Sequence, residues 1–225
     1  MDIKKSAKAT RDSMQQGIYV VINPVVKGMI KIGMTPNMVT TIGMLGQIAA
    51  AVLLIIAGYR AGHGQPYYPL MIWAGGVMIG FSVFDMLDGQ VARIGNMASR
   101  FGAMYDSVLD RYCELFNLGG IIYFFLQAGN LGAGLVTFLA LVGSLMVSYI
   151  RARAEGVGIE CKIGFMQRPE RVVVTVLGVL AAGILGVCGV SWAEAVLYGA
   201  MLLIAVFANL TAVARLMWSK KQLNK

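Results

Sequence analysis

Hydrophobic residues run along this chain in blocks too long for a soluble fold. Apolar stretches lie near residues 37–58, 67–91, 101–127, 131–150, 171–190 and 193–216. Short segments rich in Gly or Pro separate several of them, among them GYRAGHGQPYYP, QAGNLGAG and GVSW. A helix needs about 20 apolar residues to cross a hydrocarbon core of roughly 30 Å, so each block predicts a membrane span. The third is unusual, because Asp106, Asp110, Arg111 and Glu114 crowd its first half. Ahead of the first block, IYVVINPVVKGMIKIG is interrupted by Asn23, Pro24 and Lys27, which excludes a signal-peptide core. It predicts an amphipathic helix lying at the membrane surface, with Lys27 and Lys31 near the headgroups. The pattern therefore predicts an all-α integral membrane protein, with six transmembrane helices and an N-terminal amphipathic surface helix. The expected organisation is a cytoplasmic N-terminus and interfacial helix over 1–33, a membrane domain over 34–219 and a basic cytoplasmic tail over 220–225. Gly76 and Gly80 form a GxxxG spacing suited to close helix approach.

Composition agrees with that reading: 58% of residues are hydrophobic and 13% are charged. The net charge of +8 admits a nucleic-acid partner until its placement is considered. In a six-span topology the outer loops hold only Arg60, and the other 18 of the 19 Lys and Arg residues lie at or near one side. That is the positive-inside distribution. It predicts a multi-pass protein of the cytoplasmic membrane with both termini inside, and no nucleic-acid partner. His63 falls in the first outer loop and is given no catalytic role. Cys113, Cys161 and Cys188 lack any paired or metal-type spacing and read as packing residues.

The informative anomaly is FDMLDGQVARIGNMASRFGAMYDSVLDR, residues 84–111, which sets Asp85, Asp88, Asp106 and Asp110 in an apolar chain. Carboxylates are costly in a membrane unless something pairs with them. Asp85 and Asp88 are three apart near the end of span two; Asp106 and Asp110 are four apart near the start of span three. Each pair shares a helix face, so two neighbouring helices would aim four carboxylates at one cytoplasmic spot. Four like charges repel unless a cation joins them. All-oxygen donors suit Mg²⁺ or Mn²⁺, four carboxylates can hold two such ions, and two-metal sites favour phosphoryl transfer. Gly89 and Gly102 leave room for a phosphate, and Arg93 lies one helical turn from Gly89. Two other readings stand beside this one. The acids can form ion pairs with Arg93, Arg100 and Arg111, or line a divalent-cation transporter, although only Glu194 continues such a path outward.

The same stretch resembles the signature of the CDP-alcohol phosphotransferase (CDP-alcohol phosphatidyltransferase) family, Asp-x2-Asp-Gly-x2-Ala-Arg-x8-Gly-x3-Asp-x3-Asp. Its fixed positions fall here on Asp85, Asp88, Gly89, Ala92, Arg93, Gly102, Asp106 and Asp110. The resemblance implies a membrane homodimer that uses two Mg²⁺ or Mn²⁺ ions to move a phosphate-linked lipid group from a CDP carrier to an alcohol, with release of CMP. It implies that Asp85 and Asp106 bridge the metals, that Asp88 and Asp110 complete them, and that Asp110 is also the general base on the acceptor hydroxyl. It places Gly89, Arg93 and Ser99 at the CDP-lipid. GMTPNMVT resembles the family's first-span entry and implies that Asn37, Met38, Val39 and Thr40 are near the nucleotide; the plainer reading is a helix start capped by Thr35 or Asn37.

SYIRARAEGVG and GFMQRPERVVV look like the corresponding stretches of the bacterial phosphatidylinositol-phosphate synthases. That likeness implies CDP-diacylglycerol as donor, inositol phosphate as acceptor, and Arg151, Arg171 and Arg215 around the acceptor phosphate. Where Arg151 stands those enzymes usually carry lysine, and an arginine fork is not equivalent to a lysine point charge. Arg153 and Arg168 read instead as positive-inside anchors at helix ends, and Arg111 and Glu114 receive no role. The same chemistry on free inositol, serine or glycerol 3-phosphate remains the alternative.

Overall fold

The computed structural model describes residues 22–224; residues 1–21 and 225, which include the basic start of the expected N-terminal segment, lie outside the described residues. A helical stretch over 22–31 (α1) is followed by α2 (Pro36–Gly62), α3 (Tyr68–Ser82), α4 (Phe84–Ile94), α5 (Arg100–Gln127), α6 (Leu131–Gly156), α7 (Arg168–Val187) and α8 (Ala193–Leu223). No strand occurs among the described residues.

Among the described residues, five segments are long and apolar enough to cross a membrane: Pro36–Gly62, Tyr68–Ile94, Leu131–Gly156, Arg168–Val187 and Ala193–Leu223. The chain is thus a multi-pass membrane protein by length and composition. The α5 helix, expected as the third of six spans, has 28 residues but is not among the five. Its charged first half lowers its hydropathy. The expected second span runs as α3 and α4, joined at Val83, whose dihedrals (φ −66°, ψ −29°) are still helical, two residues before Asp85.

The chain divides into two compact units. One contains the described residues up to Met44 together with Phe81–Leu109. Its core is Val26, Val39, Leu87 and Val91, with Ile22, Met29, Ile30 and Phe84 packed against it. The α1 stretch is accordingly one-sided: Val26 is buried, while Lys27 and Lys31 are exposed.

The other unit contains Leu45–Gly80 and Asp110–Lys225. Its core runs from Leu54 and Met71 through Phe124 and Phe125 to Leu197, Met201 and Ile204. Small residues set its helix spacing. A Cβ on Gly58 would stand 2.7 Å from the Phe124 Cα, and one on Gly183 would stand 2.9 Å from the Ile72 nitrogen. The GxxxG pair expected to make a close approach does not make one here, since a Cβ on Gly76 or Gly80 would meet nothing within 4 Å. Gly75, one position earlier, packs against Leu180 instead. Cys113 and Cys161 are buried as expected, whereas Cys188 is exposed.

Between α6 and α7 an extended segment is pinned to its own unit. Arg215 donates to the carbonyls of Ile163 (2.8 Å) and Val147 (2.7 Å), and the Met166 nitrogen donates to Thr211 Oγ1 at 3.3 Å. Gly164 (φ +110°) makes the turn possible; a Cβ there would lie 2.2 Å from the Thr211 methyl.

Candidate functional site

In the first unit, α2, α4 and the start of α5 enclose a cavity of about 280 Å³. Asn37, Thr40, Asp88, Gly89, Arg93, Ser99, Gly102 and Asp106 are among its lining residues. Helix starts explain much of this convergence. Ser99 Oγ accepts from the Gly102 nitrogen at 2.9 Å and so opens α5. Thr35 Oγ1 accepts from the Met38 nitrogen at 3.4 Å at the start of α2, as the plainer reading of that stretch expected. Thr40 Oγ1 donates to Asp88 Oδ2 at 2.7 Å, and Asp88 is 6% exposed. A Cβ on Gly89 would meet nothing within 4 Å, so this glycine leaves a cradle in the wall. At Gly102 a Cβ would press on Ser99 Oγ at 3.0 Å.

Not every expected nucleotide residue faces this cavity. Val39 is fully buried in the apolar cluster of the unit. Met38 is 49% exposed and, with Asn37, Thr41 and Ile42, lines a second, mainly apolar hollow of about 310 Å³. Thr41 Oγ1 and Tyr105 Oη are 2.9 Å apart beside it.

The aspartates fit a hard cation by their donor chemistry, because every donor is a carboxylate oxygen. Asp85 and Asp106 lie near enough to Asp88 for their charges to act on it. Among the described residues, however, no three acidic, histidine or cysteine side chains stand at metal-ligand spacing. Like charges repel, and these carboxylates turn to other donors. Asp88 takes the Thr40 hydroxyl, and Asp110 takes a guanidinium.

That guanidinium belongs to the second unit, where α5 and α7 form a ladder of charge. Arg168 Nη2 is 2.6 Å from Asp110 Oδ1, with side chains 25% and 11% exposed. One turn further along both helices, Arg171 grips Glu114 with two hydrogen bonds, from Nε (2.6 Å) and Nη2 (3.0 Å). Arg171 Nη1 also donates to the Met166 carbonyl at 3.2 Å. Arg111 Nη1 stands 3.8 Å from the other Asp110 oxygen. Arg168 is therefore more than an anchor, and Glu114 acquires a partner. Asp110 and Glu114 are four apart, Arg168 and Arg171 three apart, so the helical spacing held the signal.

The three arginines expected at the acceptor phosphate differ. Arg171 (1% exposed) and Arg215 (2%) are buried and engaged as described. Arg151 pairs at 2.9 Å with Glu155 one turn along its own exposed helix face. Arg151 and Arg171 are both close enough for their charges to act on Arg215.

Comparison with known proteins draws these features together. The family model for CDP-alcohol phosphatidyltransferase matches residues 33–218. The phosphatidylinositol phosphate synthase of Mycobacterium tuberculosis is 33% identical over 198 residues, covering 87% of this chain and 84% of that protein. The archaetidylinositol phosphate synthase of Methanothermobacter thermautotrophicus is 36% identical over 151 residues, covering 67% and 69%. The crystal structure of the M. tuberculosis enzyme with CDP-DAG bound is similar, with a TM-score of 0.75, 30% identity and coverage of 87% of this chain and 92% of that one. A structure of that enzyme with manganese and citrate also has a TM-score of 0.75, with 30% identity and coverage of 87% of each chain. With Asp88, Gly89, Ala92, Arg93, Gly102 and Asp106 of the signature lining one cavity, Asp85 and Asp110 not among its lining residues, and residues 33–218 matched by the family model, the chain belongs to the CDP-alcohol phosphatidyltransferase family.

Proposed function

We propose that this chain is a phosphatidylinositol-phosphate synthase, transferring the phosphatidyl group of CDP-diacylglycerol to inositol 1-phosphate (1D-myo-inositol 3-phosphate) with release of CMP. The cavity walled by Asn37, Thr40, Asp88, Gly89, Arg93, Ser99, Gly102 and Asp106 carries this reading, since it gathers family-signature residues around the open space beside Gly89. The names of the relatives support the donor and acceptor.

In this reading Asp85, Asp88, Asp106 and Asp110 hold two divalent cations, Mg²⁺ or Mn²⁺. The cations supply neutralisation of the diphosphate and of the departing CMP. Asn37, Thr40, Gly89, Arg93 and Ser99 position the CDP-lipid, while Met38 and Val39, expected beside them, line the second hollow and the apolar cluster. Arg151, Arg171 and Arg215 draw in the acceptor phosphate. Asp110 takes the proton of the acceptor hydroxyl, whose oxygen bonds to the lipid-bearing phosphorus as the bond from that phosphorus to CMP breaks. The active enzyme is a homodimer with six spans, of which α5 is the third, and with its site and termini on the cytoplasmic side. The distribution of basic residues supports that sidedness.

A second reading keeps the chemistry and changes the acceptor to free inositol or glycerol 3-phosphate. One observation favours it: Arg171 and Arg215 already spend N–H groups on Glu114 and on backbone carbonyls. The test is CMP release by purified protein with CDP-diacylglycerol and Mg²⁺, offering inositol phosphate, free inositol and glycerol 3-phosphate in parallel. Release with inositol phosphate alone is the expected result; release with free inositol alone replaces the acceptor assignment. Normal turnover by Asp85→Asn would overturn the metal assignment.

A further inference from the structure

We propose that Arg168 is a positioning residue that exchanges partners: it holds Asp110 in this structure and gives that carboxylate up for a phosphate dianion, so that acceptor phosphate and divalent cation favour each other's binding. The inference rests on the metal and acceptor reading above, and extends it to a residue that reading leaves out.

The two rungs between α5 and α7 are unequal. The Glu114–Arg171 rung is bidentate, and its side chains are 9% and 1% exposed. A third bond ties Arg171 to the Met166 carbonyl. Separating such a pair leaves two buried charges uncompensated, so this rung stays closed. In the Asp110–Arg168 rung the ion pair stands at 2.6 Å, and its arginine is 25% exposed. Its arginine is nearer water than Arg171, 25% against 1% exposed, so this pair costs less to part. It is the rung that can open.

Charge gives the direction of the exchange. Around this ladder three guanidiniums (Arg111, Arg168 and Arg171) face two carboxylates (Asp110 and Glu114). The cluster carries one cation in excess and suits an anion. Arg168 is also the first residue of α7, where the helix dipole favours negative charge. A phosphate dianion has more charge and more acceptor oxygens to offer a guanidinium than one carboxylate has. Once Arg168 turns to the phosphate, Asp110 Oδ1 loses a cation standing 2.6 Å away and becomes a better donor to a divalent ion. Linkage then requires that each ligand tighten the other.

The test is Mn²⁺ affinity of the full chain in detergent, read by EPR of free Mn²⁺ against protein-free controls. Wild type, Arg168→Gln, Arg168→Lys and Asp110→Asn are each titrated alone, with inositol phosphate, with inorganic phosphate and with free inositol. In wild type both phosphates tighten Mn²⁺ binding about tenfold, within the usual range for coupled sites, and free inositol does not. Arg168→Gln binds Mn²⁺ about tenfold more tightly without phosphate, because a unit charge has been removed from beside the carboxylate. In that variant the response to phosphate falls below about twofold, while Arg168→Lys keeps part of it. A folded Arg168→Gln protein that retains the wild-type phosphate response, or that binds Mn²⁺ more weakly, overturns the exchange while leaving the metal assignment standing. Equal tightening by free inositol also overturns it. Wild type whose Mn²⁺ binding is indifferent to Asp110→Asn overturns both the exchange and the metal reading. Circular dichroism of each variant separates these results from misfolding.

Discussion

Asp88 and Asp110 belong to one signature and are both buried, yet they sit among opposite neighbours. Asp88 is held by a neutral hydroxyl, from Thr40 at 2.7 Å, in the wall of a cavity that a missing Cβ keeps open. Asp110 is held by a guanidinium at 2.6 Å, beside a second ion pair that is sealed from water. A hydroxyl orients a carboxylate and leaves its charge in place for a cation. A guanidinium cancels much of that charge until it is displaced. The first arrangement suits a permanent ligand, and the second suits a group whose availability depends on what else is bound.

Removing the charges themselves has the largest expected effect. Asp88→Asn and Asp110→Asn should each abolish measurable CMP release, and for Asp110 the loss of a general base alone accounts for about 10²–10⁴-fold. An Asp110→Asn enzyme with more than a tenth of wild-type turnover would take the base role away from this residue.

Next in size is the sealed rung. Glu114→Gln leaves the Arg171 guanidinium, 1% exposed, without its counter-charge. That should cost about 3–5 kcal/mol of stability, read by thermal denaturation in detergent. The double change Glu114→Leu with Arg171→Leu should cost much less, because no orphan charge remains. Equal losses in the two proteins would mean that packing, not charge, holds α5 to α7.

A smaller effect tests the neutral side. Thr40→Val removes a hydrogen bond to a charged group, for which about 1.5–3 kcal/mol is typical, and kcat/KM should fall about tenfold or more. Thr40→Ser, which keeps the hydroxyl, should recover most of it. The smallest stability change is expected at Arg151, whose ion pair with Glu155 lies on an exposed helix face. Arg151→Gln should shift stability by no more than about 0.5 kcal/mol while raising the KM for inositol phosphate. An unchanged KM would assign Arg151 to anchoring.

How much of this was readable without coordinates varies by residue. Asn37, Thr40, Gly89, Arg93 and Ser99 were expected near the nucleotide and do share one cavity with Asp88 and Asp106. Val39 was expected there too but turns into the apolar cluster. Successive residues of a helix point about 100° apart, so four consecutive residues cannot all face one site. Arg168 read as an anchor because a basic residue at a helix start satisfies the positive-inside pattern whether or not it has a partner. Its neighbour Arg171 meets Glu114 across 57 positions of chain; helical spacing puts Asp110 with Glu114 and Arg168 with Arg171 on one face each, but not which helix each face meets.

By itself the sequence determined the apolar segments, the side on which basic residues gather and the carboxylate signature. These depend on hydropathy over about 20 residues and on helical periodicity, both of which are local. Only the tertiary structure decided which of two adjacent glycines lets helices touch and which charge neutralises which. Those outcomes depend on through-space approach between distant helices, where the strength of a charge pair is set by separation and burial, neither of which is written in a linear chain.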